Sequence, residues 1–221
     1  DTMDLLQQTD ELFFTRSNLD LDGTSKIVRE ALANSDDGEL FLEMRHAEML
    51  AFDDGQLKTA SYDQSSGFGL RAVAGETHGY AHAGELSESA LKRAAESVSA
   101  VTKGYAGNAA LAPNAGANQS LYSDQNPLNS TPFETKIKLL QEMDGYARDA
   151  DPRVKQVSAS LTGSWQAVQI IRGDGLRVAD IRPLVRINVW VAVEQNGRME
   201  SGGSGAGGRV MFDRWLAPES W

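Results

Sequence analysis

From residue 181 to 193 every odd position is apolar: Ile181, Pro183, Val185, Ile187, Val189, Val191 and Val193. The even set mixes Arg182, Leu184, Arg186, Asn188, Trp190, Ala192 and Glu194. Period two over that length predicts a long strand with one buried face. Asn196-Gly197 supplies the two positive-φ residues of a type I′ turn, so the chain folds back on itself. The return, residues 201–208, carries five glycines and no side chain larger than serine. Glycine weakens a strand and is used where another backbone or a ligand comes close. Counting back from the turn places Trp190 opposite Gly203 and Val191 opposite Gly202, bulk against bare backbone.

The same reading organises the rest of the chain. Residues 1–22 read as a polar, acidic lead-in with an apolar patch at Leu12, Phe13 and Phe14. A short helix follows, capped by Thr24 or Ser25, with Ile27, Val28, Ala31 and Leu32 on one face and a stop near Gly38. A strand meander is predicted over 39–52, 56–63, 67–74 and 78–83, its first turn at Asp54-Gly55. A helix starts near Ser87, with Leu91, Ala94, Ala95, Val98 and Val101 at helical spacing. Residues 104–132 read as a long connection running over the outside. Thr131-Pro132-Phe133-Glu134 predicts a capping box with proline at the first helical position. Phe133, Ile137, Leu140 and Ala147 form the expected apolar stripe, and Asp151-Pro152 the stop. Strands over 153–171 and 176–193 then meet at Asp174-Gly175. Helices segregated from antiparallel meanders give an α+β fold. The division expected is 1–103, the connection 104–132, and 133–221.

Two stretches carry a family likeness. The core Asp180 to Arg186 with its glycine-rich tail ending at Arg209, and residues 65–87, SSGFGLRAVAGETHGYAHAGELS, resemble the TldD/PmbA zinc metallopeptidases, known as modulators of DNA gyrase. The likeness is to a TldD-type subunit and runs through nearly the whole chain. It implies the fold of that family's N-terminal region. It also implies zinc in the full-length enzyme, on an HExxxH helix further toward the C-terminus, and extended peptides or unfolded protein as substrate. The implied partner is a PmbA-like subunit or further copies of the chain. The HExxxH pattern does not occur in these residues, and the chain is expected to be the N-terminal, non-catalytic region, without a metal or catalytic residue of its own.

Composition narrows the function classes. The absence of cysteine excludes a disulfide scaffold, a thiol nucleophile and Cys-ligated zinc. A net charge of −10 argues against direct nucleic-acid binding, which needs clustered Lys and Arg, so a gyrase connection reads as indirect. No apolar run approaches the roughly 20 residues that span a bilayer, and no signal-peptide layout opens the sequence. A cytoplasmic protein is expected, and Asp1 in place of Met suggests a trimmed chain.

Several patterns imitate sites. Residues 18–23, NLDLDG, copy the first half of a calcium loop, but Arg29 stands where the bidentate Glu belongs. His78 and His82 share a strand face with Cα atoms roughly 13 Å apart, too far for one zinc. The third histidine, His46, lies in no ligand pattern. Gly203, Gly205 and Gly208 satisfy GxGxxG, yet too little helix follows to receive a pyrophosphate. Arg172-Gly173-Asp174 is explained by the turn. The candidate peptide or partner contacts are therefore Arg182, Arg186, Gly203, Gly205, Gly207 and Arg209. An extended peptide would pair with an open strand edge through main-chain hydrogen bonds. The alternative is a stand-alone binding or assembly module without enzymatic role.

Overall fold

The structure is a computed structural model that describes residues 4–107 and 121–221. Six strands form one sheet: β1 (Asp37–Asp53), β2 (Gln56–Ala74), β3 (Thr77–Ala83), β4 (Val154–Arg172), β5 (Arg177–Gln195) and β6 (Arg198–Gly208). Their order is β3-β2-β1-β4-β5-β6, which leaves β3 and β6 at the edges. Tight turns join β1 to β2, β2 to β3, β4 to β5 and β5 to β6, and Asp54-Gly55 and Asn196-Gly197 both have positive φ at both residues, as their sequences require. Only the β1–β4 neighbourhood is non-local. It is antiparallel too: Asp37 meets Arg172, Glu43 meets Gln166 and Asp53 meets Ser158, one strand rising as the other descends. The helices are α1 (Leu5–Asp10), α2 (Leu21–Ala31), α3 (Glu88–Thr102), α4 (Pro127–Ser130) and α5 (Phe133–Ala150). The fold is α+β, as the element pattern predicts.

The chain divides into two compact units. The first comprises Asp1–Arg45, Ser65–Ser120 and Gln166–Ile181; the second comprises His46–Gln64, Leu121–Trp165 and Arg182–Trp221.

In the first unit α3 packs on β3 and on α2. Gly79 permits the approach, since a Cβ there would stand 3.2 Å from Val101. Val28, Leu40, Leu42, Leu70, Ala72, Leu91 and Val98 are buried. Ser87 caps α3 by accepting from the Ala90 amide, as expected. Arg71 donates to both oxygens of Glu39 and to Asp37, which also accepts from Arg172.

Other local expectations give way here. The lead-in is helical: α1 runs into a wide turn over Glu11–Thr15 that buries Phe13 completely. Helix α2 begins earlier than its apolar face suggests, because the Asp20 carboxylate accepts from the Gly23 amide 2.7 Å away and forms the cap. That bond uses an aspartate of the calcium-loop imitation as a helix cap. The helix ends at Ala31, well before Gly38. The two strands expected over 56–74 are one, β2.

In the second unit Leu50, Phe52, Leu139, Leu140, Met143, Leu161, Val185, Ile187, Phe212 and Trp215 form one core. A Cβ on Gly163 would stand 2.6 Å from Leu128 and 2.9 Å from Phe212, so only glycine lets those side chains onto β4. Helix α5 presents Lys136, Leu139, Leu140 and Met143 inward, with Ile137 packed against the same core; of the expected stripe Ile137 and Leu140 face inward, whereas Phe133 is exposed. Its capping box does not form: Pro132 occupies the cap, and Thr131 is buried at the end of α4. Lys136 is buried with its Nζ 2.5 Å from Glu48, 2.8 Å from the Leu128 carbonyl and 5.3 Å from the Phe212 ring centroid. The connection expected over 104–132 falls partly outside the described residues, and its end contains α4.

Candidate functional site

Strand β6 pairs with β5 from Arg198 opposite Gln195 to Gly208 opposite Val185. Trp190 stands opposite Gly203 and Val191 opposite Gly202, the register that the two-residue turn dictates. Among the described residues the other side of β6 has no neighbour in the sheet, and β6 is exposed from Arg198 to Gly205.

The glycines have a local cause. On one sheet face a Cβ at Gly203 would lie 2.8 Å from the Trp190 ring. At Gly205 it would lie 2.5 Å from Asn188 Oδ1 and 3.1 Å from the Arg186 guanidinium. At Gly207 it would meet the Val185 carbonyl at 2.5 Å and Arg186 at 3.2 Å. Side chains of β5 thus lie sideways over β6, and alternate glycines receive them. Arg186 Nε donates to Asn188 Oδ1 at 2.8 Å, and Asn188 Nδ2 donates to Ser160 Oγ at 3.4 Å, which fixes this tilt. Of the residues singled out from sequence, Arg186, Gly203, Gly205 and Gly207 come together on this face. Arg182 is half-buried further along the same face of β5 and has a partner of its own. Arg209 acts elsewhere: it donates to the Pro183 carbonyl at 3.3 Å and its guanidinium lies 4.9 Å from the Tyr122 ring centroid, pinning the end of β6.

The opposite face of the same strand pair holds a hollow of about 210 Å³. Ile187, Val189 and Ala206 floor it, Met143 of α5 and Trp221 wall it, and Ser204 and Glu219 line it too. Trp221 packs edge-on against Tyr146, ring centroids 5.6 Å apart. The sequence offered only half of this signal. Alternation places Ser204 and Ala206 on the face away from the glycines, but Met143 and residues 219–221 arrive from distant segments.

The imitated sites resolve into structure. Strand β6 ends at Gly208 and two short 3-10 turns follow, Phe212–Trp215 and Pro218–Ser220, so among the described residues no α-helix opens after the glycines. Arg172 and Asp174 pair with each other beside their turn. His78 and His82 sit on β3, and His82 stacks on Tyr80 with centroids 5.7 Å apart. His46 packs on Trp165 and Tyr62, its Nε2 buried without a partner among the described residues, and burial lowers its pKa. No group of three His, Cys, Asp or Glu among the described residues is placed to hold a metal ion. Among the described residues no helix is long and apolar enough to cross a membrane.

Comparison with known proteins is consistent across sequence and fold. Residues 38–102 match the family model of the PmbA/TldA metallopeptidase domain 1, and residues 126–220 that of the PmbA/TldA metallopeptidase central domain. The chain is 37% identical to the metalloprotease TldD homolog of Haemophilus influenzae over 95% of its own length and 44% of the relative's. It is 32% identical to the metalloprotease TldD homolog of Buchnera aphidicola subsp. Schizaphis graminum, over 84% of its length and 38% of the relative's. It therefore spans less than half the length of these curated relatives. The crystal structure of TldE from Thermococcus kodakarensis shares the fold at 14% identity, with a TM-score of 0.70, over 85% of this chain and 43% of that one.

Proposed function

Because the chain belongs to the PmbA/TldD metallopeptidase family, we propose that it forms a non-catalytic, peptide-binding and partner-contacting part of a TldD-like metallopeptidase. In this reading the β6 edge pairs with extended peptide through main-chain hydrogen bonds. The same region makes the contact with a PmbA-like subunit or a second copy. The parent enzyme hydrolyses peptides and works in the cytoplasm.

One observation carries the reading. Among the described residues β6 is an open sheet edge, exposed from Arg198 to Gly205 and nearly without side chains from Ser201 to Gly208. Open edges offer unpaired amides and carbonyls, and proteins ordinarily blunt them with charge or proline. The exposed stretch of β2, by contrast, carries Lys58, Tyr62 and Asp63. An edge left bare suits recognition of main chain over side chain, the mode a peptidase of broad sequence range requires.

The family's chemistry needs a metal, and the described residues do not fit one, since they offer neither a cysteine nor a cluster of three other ligands. We therefore assign zinc and the activation of its water to residues outside this set, and derive no step through them.

The test is Gly205→Val in the full-length enzyme. Its new Cβ meets the ends of the Asn188 and Arg186 side chains and stands 3.2 Å from the Ile187 carbonyl, whereas at Gly207 it would strike the Val185 carbonyl at 2.5 Å. Peptide hydrolysis or retention of the PmbA-like subunit should fall at an unchanged melting temperature. Wild-type levels of both in a folded variant would overturn the proposal.

A further inference from the structure

We infer that the hollow between β6, α5 and residues 219–221 is a subsite for one aliphatic side chain of the peptide that adds to the β6 edge. The inference rests on the edge-pairing reading above and deepens it, because it names what an otherwise sequence-tolerant edge selects.

Side chains on one face of a sheet form rows that cross it from strand to strand. Residues directly opposite on neighbouring strands point to the same face, and strands repeat about every 4.8 Å. On the face that carries Ile187 and Val189, Ala206 stands opposite Ile187 and Ser204 opposite Val189. A strand added outside β6 continues both rows. Its side chain on that face arrives beside two of the smallest side chains available, and the space they leave is the hollow. Bulky residues at 204 and 206 would have filled it from within.

Size and lining decide the occupant. About 210 Å³ is below the range of about 300–1,000 Å³ typical of drug-sized ligands and cofactors, and suits a single side chain. Met143, Ile187, Val189 and Ala206 make the floor and inner wall apolar, and Met143 supplies a flexible thioether that adapts to branched or straight chains. The charge on the lining is Glu219, at an exposed position, which disfavours an acidic guest.

The experiment uses full-length protein and a fluorescein-labelled host peptide of alternating Thr and Ser with one guest position, read by anisotropy. The Leu guest should bind about tenfold tighter than Ala, the gain expected from burying three more carbons in part. Asp should bind more weakly than Ala. Ala206→Leu and Ser204→Leu, two independent ways of filling the hollow, should each erase the preference for Leu over Ala. Equal affinity for Leu and Ala guests, or a Leu preference intact in a folded filled variant, overturns the subsite and leaves edge pairing standing. Failure of every guest peptide to bind the folded wild type overturns edge pairing and the subsite together.

Discussion

The indole of Trp190 lies across Gly203, so close that a Cβ on the glycine would stand 2.8 Å from the ring. A Cβ on the neighbouring Gly202 would have nothing within 4 Å. Two adjacent glycines thus do different things: one receives an aromatic side chain, the other leaves the edge bare.

Alanine should separate them. Glycine inside a strand costs roughly 0.5–1 kcal/mol relative to alanine where space allows. Gly202→Ala should raise stability by about that amount, whereas Gly203→Ala should give no gain and should displace the indole. Urea midpoints and Trp190 fluorescence check this, and equal stabilisation by both substitutions would contradict the packing described.

The buried Lys136–Glu48 pair makes a second prediction. Lys136→Ala leaves the Glu48 carboxylate, with only 13% of its side chain accessible, without its cation and frees the Leu128 carbonyl. Breaking one side of such a pair costs about 3–5 kcal/mol, whereas an apolar replacement of both partners is often neutral. Lys136→Met with Glu48→Leu should therefore recover much of the loss. Unfolding curves of the single and double variants provide the check, and a single variant as stable as wild type would refute the assignment.

Acid dependence follows from Asp151. Hydrogen bonds from the Arg153 side chain and amide hold its pKa down from 3.8 to about 2. The folded value lies below the unfolded one, so this contribution is complete above about pH 4 and is lost as pH falls toward 2. Asp151→Asn should remove that part of the acid dependence, seen as a smaller drop in melting temperature between pH 4 and pH 2. The group is exposed, and the effect is expected to be small.

Much of the fold was legible because it is local. Alternation located the strands, and Asn196-Gly197 set the β5–β6 register through to Trp190 opposite Gly203. Errors arose where a residue had two offers. Thr131 fits a capping box by spacing, yet Pro127-Leu128 form a short helix just before it and leave Thr131 buried at that helix's end. Asp20 took the α2 cap ahead of Thr24 because its carboxylate reaches the Gly23 amide. The sequence named the glycine face of the candidate site but not the hollow behind it. Met143, Ile187, Ser204 and Trp221 are brought together by packing across the second unit, and no periodicity along the chain encodes that meeting.

The central claim, that β6 receives extended peptide on its open edge, is tested most directly by amide hydrogen exchange over residues 199–208 of the full-length protein, with and without saturating peptide. Alternate β6 amides should exchange at least about tenfold more slowly with peptide bound, as outward N–H groups gain partners. A peptide N-methylated at every second residue should give no such protection. Unchanged exchange across β6, with protection appearing on another strand or nowhere, would contradict the account.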